Sequence, residues 1–281
     1  MRWSKLVLPL LLMLSAPGSP CARAAGSETA AQQLYDAAVM SRENGDFQKA
    51  RAAYLEILTS YPQYEFIDAV HKELSDVLMK QIQNPVAAPE AVEYQVEPED
   101  TLAKIAKKFS TTIELIRKRN HLTGDIIRPG QKLSIWKATF HIAIDKAKNT
   151  LQLSIAGPGP DVAAAQGAGE SGPVAPLPVK TYPVSTGKSQ TQTPVGEFTI
   201  VYRYPNPTWF HKGEIVPPGE ENFLGTRWLG LDKPQFGIHG TIFPELIGQS
   251  VSGGCVRMKN EDVEELYDIV PKGTKVVIVE Q

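Results

Sequence analysis

Apolar residues recur at helical spacing in the first third of the chain and at alternate positions in the second half, with a short block between that mixes both rhythms. Leu34, Tyr35, Ala38 and Val39 form one apolar face ahead of Asn44-Gly45-Asp46, where Gly45 can end a helix and Asp46 can cap the next. Phe47, Ala50, Tyr54, Ile57 and Leu58 continue the spacing until Pro62 stops it, and Ile67, Val70, Leu74, Val77 and Leu78 predict a third helix. Residues 28–83 are therefore a helical region. Residues 84–91, with Pro85 and Pro89, form a linker. In 92–137, alternation at Tyr94 and Val96 predicts a strand, and Leu102, Ile105, Ala106 and Phe109 share a helical face. Thr111 with Glu114 makes a capping box for a second helix, and Pro129-Gly130 turns the chain into a last strand from Lys132 to Ile135.

Residues 139–281 are mostly strand. "TFHIAIDKAKNTLQLSI" alternates as a hairpin with its tip at Lys146–Asn149. The Gly-, Ala- and Pro-rich stretch 157–178 predicts a mobile insertion, after which "YPVSTGK" and "TPVGEFTIVYRY" resume the strands. Asn260 is placed to cap a helix reaching Val270, and "KVVIV" closes the chain as a strand. The fold class is multidomain α+β: a small helical region, a βααβ module and a mostly β domain.

The first 24 residues read as a secretory signal. Arg2 and Lys5 precede a short apolar run, and "ARA" at 22–24 fits a cleavage site; the run is too short to cross a bilayer. Export to the periplasm or cell envelope is expected, with no membrane span after processing. The chain carries 29 Lys+Arg against 31 Asp+Glu, and loss of Arg2, Lys5 and Arg23 makes it more acidic, which argues against nucleic acid as partner. Of the two cysteines, Cys21 lies in the leader. Cys255 is left alone in an oxidising compartment, as a buried hydrophobe or as a reactive thiol.

A thiol attacks only as thiolate and needs a base or cation beside it. His71, His121, His141 and His211 have ordinary neighbours. His239, in "FGIHGT", ends a short apolar strand between Gly237 and Gly240. Cys255 sits in "SVSGGCVRM", where Gly253 and Gly254 leave room for a substrate carbonyl, and an amide at Gly254 or Cys255 could stabilise an oxyanion. Arg257 shares alternation parity with Cys255 and would project to the same face, to lower the thiol pKa or to bind a carboxylate. Its alternative is an ion pair with an acidic neighbour. Ser252, Gly240 and Thr241 are further candidates on the substrate side. What orients His239 is open between a backbone carbonyl, Ser252 and Thr241. No metal and no cofactor are expected, since Cys255 has no neighbouring histidine pair.

These motifs carry three resemblances. "FGIHGT" followed by "SGGCVRM", with "YPVSTGK", "TPVGEFTI", "NPTW", "PPG" and "LGTRWLGL" in order, resembles the L,D-transpeptidases of the YkuD type over about 139–280. It implies Cys255 as nucleophile and His239 as base, acting on tetrapeptide stems of peptidoglycan; many members have histidine where this chain has Gly253. Residues 92–137 resemble the LysM module through Asp100-Thr101-Leu102, Ile105-Ala106, Phe109, Asn120 and Ile127 to Leu133. The family's sugar-binding loops would place Asp100, Thr101 and Pro129 against glycan strands, and Glu99 stands where glycine is usual. "GDFQKARAAYLEILTSYP" resembles one tetratricopeptide repeat, a spacer or a docking surface for a protein partner. The function implied is cysteine acyl transfer from a stem to an amine; hydrolysis at the same site (an L,D-carboxypeptidase) and an inactive wall-binding scaffold are the alternatives.

Overall fold

The computed structural model describes residues 20–156, 176–211 and 213–281. Most of the signal segment and nearly all of the insertion therefore lie outside the described residues. Three helices open the chain: α1 (Pro20–Glu43), α2 (Phe47–Ser60) and α3 (Ile67–Gln83). The first starts eight residues ahead of the helical pattern. Gly45 takes the left-handed φ of 78° that ends α1, and the Asp46 carboxylate accepts the Lys49 N–H to start α2. Among the described residues, no helix is long and apolar enough to cross a membrane.

The LysM-like block is β1 (Ala91–Gln95), α4 (Leu102–Lys108), α5 (Ile113–Arg119) and β2 (Lys132–Trp136), with β1 and β2 antiparallel. Val96, Leu102, Ile105, Ala106, Ile116, Leu133 and Ile135 fill its own small core. Glu99 holds φ 66°, the left-handed conformation that glycine takes most easily, so the turn is kept despite the substitution. The cap of α5 moves by one residue from the expected box. Thr112, not Thr111, accepts the Leu115 N–H, and its hydroxyl also donates to the Asp268 carbonyl.

The C-terminal part is built on an eight-stranded mixed sheet in the order β13-β11-β10-β7-β14-β3-β4-β5. Its strands are β3 (Phe140–Asp145), β4 (Thr150–Ile155), β5 (Leu177–Pro183), β7 (Gly196–Pro205), β10 (Arg227–Leu231), β11 (Gly237–His239), β13 (Val256–Arg257) and β14 (Lys275–Val279). The hairpin β3–β4 turns over Lys146–Asn149 as its alternation requires. β5 begins at Leu177, inside the stretch assigned to the insertion. Short pairs β6 (Thr186–Gly187) with β12 (Ser250–Ser252), and β8 (Trp209–His211) with β9 (Glu214–Val216), decorate the sheet. Helix α6 (Asn260–Ile269) packs Val263, Leu266 and Ile269 inward.

One apolar core runs from the helices into this sheet, joining Tyr54, Val77 and Leu78 to Ile142, Leu153 and Ile278. The linker between them is fastened. Arg51 and Glu90 form a two-bonded ion pair at 2.7 and 2.8 Å, almost fully buried. Arg119, fully buried at the end of α5, donates to the carbonyls of Gln81, Ile82 and Val86, and its Nε bonds the Ser134 hydroxyl at 2.9 Å. On the other side Arg203 meets Glu114 at 3.3 Å and Lys118 meets Asp268 at 3.6 Å. The module is clamped between the helices and the sheet.

Candidate active site

The register of three neighbouring strands assembles the site. β11 and β13 run parallel with His239 opposite Arg257, and β10 runs antiparallel to β11 with Trp228 opposite His239. Alternation therefore puts His239, Arg257 and Cys255 on one face. All three line a single open cavity of about 1080 Å³, together with Gln235, Gly253 and an aromatic wall that includes Tyr204, Trp209 and Phe223. His71, His121 and His141 lie elsewhere. The His211 side chain is not among those described.

His239 is 4% exposed, and its Nδ1 lies 2.7 Å from the Gly240 carbonyl. That carbonyl can only accept, so it fixes the proton on Nδ1 and leaves Nε2 with its lone pair. The open question of what orients His239 thus resolves to a backbone carbonyl. Burial is the main cause that pushes the imidazole pKa down to about 4, with the Arg257 charge adding in the same direction. The imidazole is neutral at neutral pH.

Cys255 is half-buried and free. Burial raises its thiol pKa, against the lowering effects of the Gly237 N–H and Arg257. No hydrogen bond joins its sulfur to the imidazole; Sγ donates to the Gln235 carbonyl at 3.4 Å. The thiol rests in the neutral form, turned to a backbone acceptor in the cavity it shares with His239. Arg257 is half-buried, and among the described residues no carboxylate forms an ion pair with it.

Several candidates take other places than expected. The Ser252 hydroxyl is buried, donates to the Cys255 carbonyl at 2.6 Å and accepts the Gly254 N–H at 3.1 Å. It ties the Cys255 loop together and is not among the residues that line the cavity. The same bond engages the Gly254 amide named as oxyanion donor, while the Cys255 N–H has no acceptor among the described residues. Thr241 is buried, its Oγ1 accepting the Phe243 N–H at 3.1 Å. Gly240 serves through its carbonyl. In the LysM-like block, Asp100 accepts from the Tyr94 hydroxyl at 2.7 Å and the Glu97 N–H at 2.9 Å, and Thr101 caps α4 through the Lys104 N–H. Both side chains hold the loop that also carries exposed Glu97 and Glu99, and Pro129 is exposed on the facing turn.

Asn260 is not the cap of α6; Lys259 is. As first residue of the helix, Asn260 turns its Oδ1 back to accept the N–H groups of Thr226 and Thr241, at 3.3 and 3.2 Å. A Cβ on Gly225 or Gly240 would collide with that oxygen, so both must be glycine. The helix N-terminus thereby seats the segment whose carbonyl holds His239. Neither this staple nor the pairing of Trp228 with His239 is legible in the sequence, although the glycines beside them stand in its motifs.

Residues 174–278 match the YkuD family, described as the L,D-transpeptidase catalytic domain, and residues 94–136 match the LysM domain. The protein of Bacillus licheniformis named L,D-transpeptidase YkuD is 38% identical over 192 residues, covering 66% of this chain and 97% of the relative. Its namesake in Bacillus subtilis is 36% identical over 191 residues, with the same coverage. An L,D-transpeptidase structure from Mycobacterium smegmatis has a TM-score of 0.39 at 18% identity, over 53% of this chain and 63% of that one. With a histidine, a thiol and a guanidinium on one cavity wall and relatives matched over nearly their whole length, this chain belongs to the YkuD-type L,D-transpeptidase family and carries a LysM domain ahead of its catalytic domain.

Proposed function

We propose that this protein is a peptidoglycan L,D-transpeptidase that moves a stem acyl group through Cys255 to an amine. The reading rests above all on one observation: His239, oriented by the Gly240 carbonyl, and Cys255 open into the same cavity as the Arg257 guanidinium. Because both groups start neutral, the thiol must turn from the Gln235 carbonyl toward His239 and lose its proton as it attacks. Nε2 takes that proton, and the sulfur adds to the amide carbonyl between a diaminopimelate-type third residue and terminal D-alanine. The Cys255 N–H stabilises the oxyanion. The tetrahedral adduct collapses with C–N cleavage, and the imidazolium returns the proton to the departing D-alanine amine. An incoming amine then attacks the thioester, gives its proton to His239, and displaces the thiol. Arg257 is the group to bind a substrate carboxylate, in forked geometry.

The LysM domain is proposed to hold glycan strands through the loops at Asp100-Thr101 and Pro129, which raises the local concentration of stems. Export is proposed from the leader sequence, with the periplasm or cell envelope as destination from the LysM and catalytic domains, and a tetratricopeptide-like role for α1 to α3, with a protein partner docked there, is proposed from the sequence resemblance. The decisive assay incubates the protein with a purified tetrapeptide stem and an amine acceptor and weighs the products. The expected result is a cross-linked product with release of D-alanine, abolished in Cys255→Ala. Tripeptide alone would make the enzyme a carboxypeptidase, and release that survives in Cys255→Ala would remove the cysteine from the mechanism.

A further inference from the structure

The cavity wall beside the imidazole includes an aromatic side chain to which no role has been given. Trp228 stands opposite His239 in register, and the two rings stack at 24° with centroids 5.6 Å apart. Two cross-strand rows along, on the same face of the sheet, two glycines face each other, Gly230 and Gly237. A Cβ at Gly230 would lie 2.7 Å from Trp228 Nε1; one at Gly237 would lie 2.7 Å from Cζ2 and 2.8 Å from Cη2. The indole thus lies flat in the space of two missing side chains. It reaches toward Gly237, whose N–H serves Cys255. It is partly exposed and lines the cavity, unlike a tryptophan used only to fill a core.

We propose that Trp228 is a positioning residue of this site: its indole, seated by Gly230 and Gly237, fixes the plane of the His239 ring and keeps water from the ring's inner face. This deepens the transpeptidase reading and rests on it for its kinetic part only. The Gly240 carbonyl holds Nδ1 and the Leu224 backbone also acts on the ring, but bonds in the ring plane constrain its tilt only weakly. A flat neighbour removes the remaining freedom. The same cover accounts for part of the burial that disfavours the charged imidazole.

Nuclear magnetic resonance of the full chain tests the contact without any substrate. The wild type should give cross-peaks between indole and imidazole protons, and their absence would overturn the proposal. In Trp228→Leu the His239 titration midpoint should move up by about one unit or more, toward its ordinary value. Trp228→Phe, which keeps a flat but shorter ring, should fall between. In the stem assay, Trp228→Leu should lower kcat on the order of tenfold or more with KM little changed, and Phe should restore part of it. An unchanged His239 midpoint in Trp228→Leu would refute the role, and so would a raised KM with kcat intact, which belongs to a substrate-contacting surface. Should the Leu variant not fold, the wild-type cross-peaks and the Phe midpoint decide. A wild type that releases no D-alanine would instead count against the functional reading, leaving the titration to judge Trp228.

Discussion

His239 binds its proton more weakly in the folded chain than in the unfolded one, and that difference has a measurable sign. Between pH 6.5 and about 4 the unfolded imidazole is protonated while the folded one is not. Stability therefore falls as pH drops through this window and levels off below it, by roughly 3 kcal/mol in all. Urea unfolding of the wild type and of His239→Gln on either side of the window should show this slope in the wild type and its loss in the variant. The sulfur carries a matching signature. With its thiol pKa pushed up by burial, alkylation of Cys255 by iodoacetamide should rise with pH to a midpoint above 9.0, the ordinary thiol value. A plateau already reached at weakly acid pH would reveal a preformed thiolate–imidazolium pair and contradict the neutral resting state.

Elements show where local pattern decides and where it does not. The parity of Cys255 and Arg257, and His239 at a strand end between glycines, were legible because alternation and turn chemistry act over a few residues. The cap of α5 was missed by one position. Thr111 and Thr112 are equally able to cap, and the choice goes with a bond from Thr112 to Asp268, 156 residues away. Ser252 and Thr241 looked like substrate contacts only because spacing cannot tell that a hydroxyl is spent on its own loop. Asn260 was read as a cap, the commonest use of asparagine before a helix, whereas here it staples two glycine-containing turns. Asn260→Ala should leave the Thr226 and Thr241 amides unpaired, costing about 2 kcal/mol in unfolding experiments. It should reduce turnover more than that loss of stability explains, since the Gly240 carbonyl loses its seat. At the LysM turn, Glu99→Gly should relieve the left-handed backbone at φ 66° and raise stability by about 1 kcal/mol. No gain in melting temperature would mean that the Glu99 backbone is not strained.

At the scale of the whole molecule, the boundaries suggested by composition conceal how firmly the parts are joined. Pro85 and Pro89 signalled a linker, yet Arg51 meets Glu90 and the Gln81 side chain donates to the Ala87 carbonyl across it. No local pattern announces an arginine that ends a LysM helix and reaches three carbonyls at the end of α3 and just beyond. Burial depresses the Arg119 guanidinium to about 10, so it stays charged at neutral pH and needs those carbonyls. Arg119→Ala should cost on the order of 3 kcal/mol. Denaturation of the wild type should show one cooperative transition for helices, LysM domain and sheet, and separable transitions would speak against a single unit. A clamp of this kind works as a caliper: the span from the loops at Asp100-Thr101 and Pro129 to the Cys255 sulfur is set once by the fold, with no tether to lengthen or shorten it. Under the proposed function, a molecule so built would reach only stems that project at one stride from where it grips a strand.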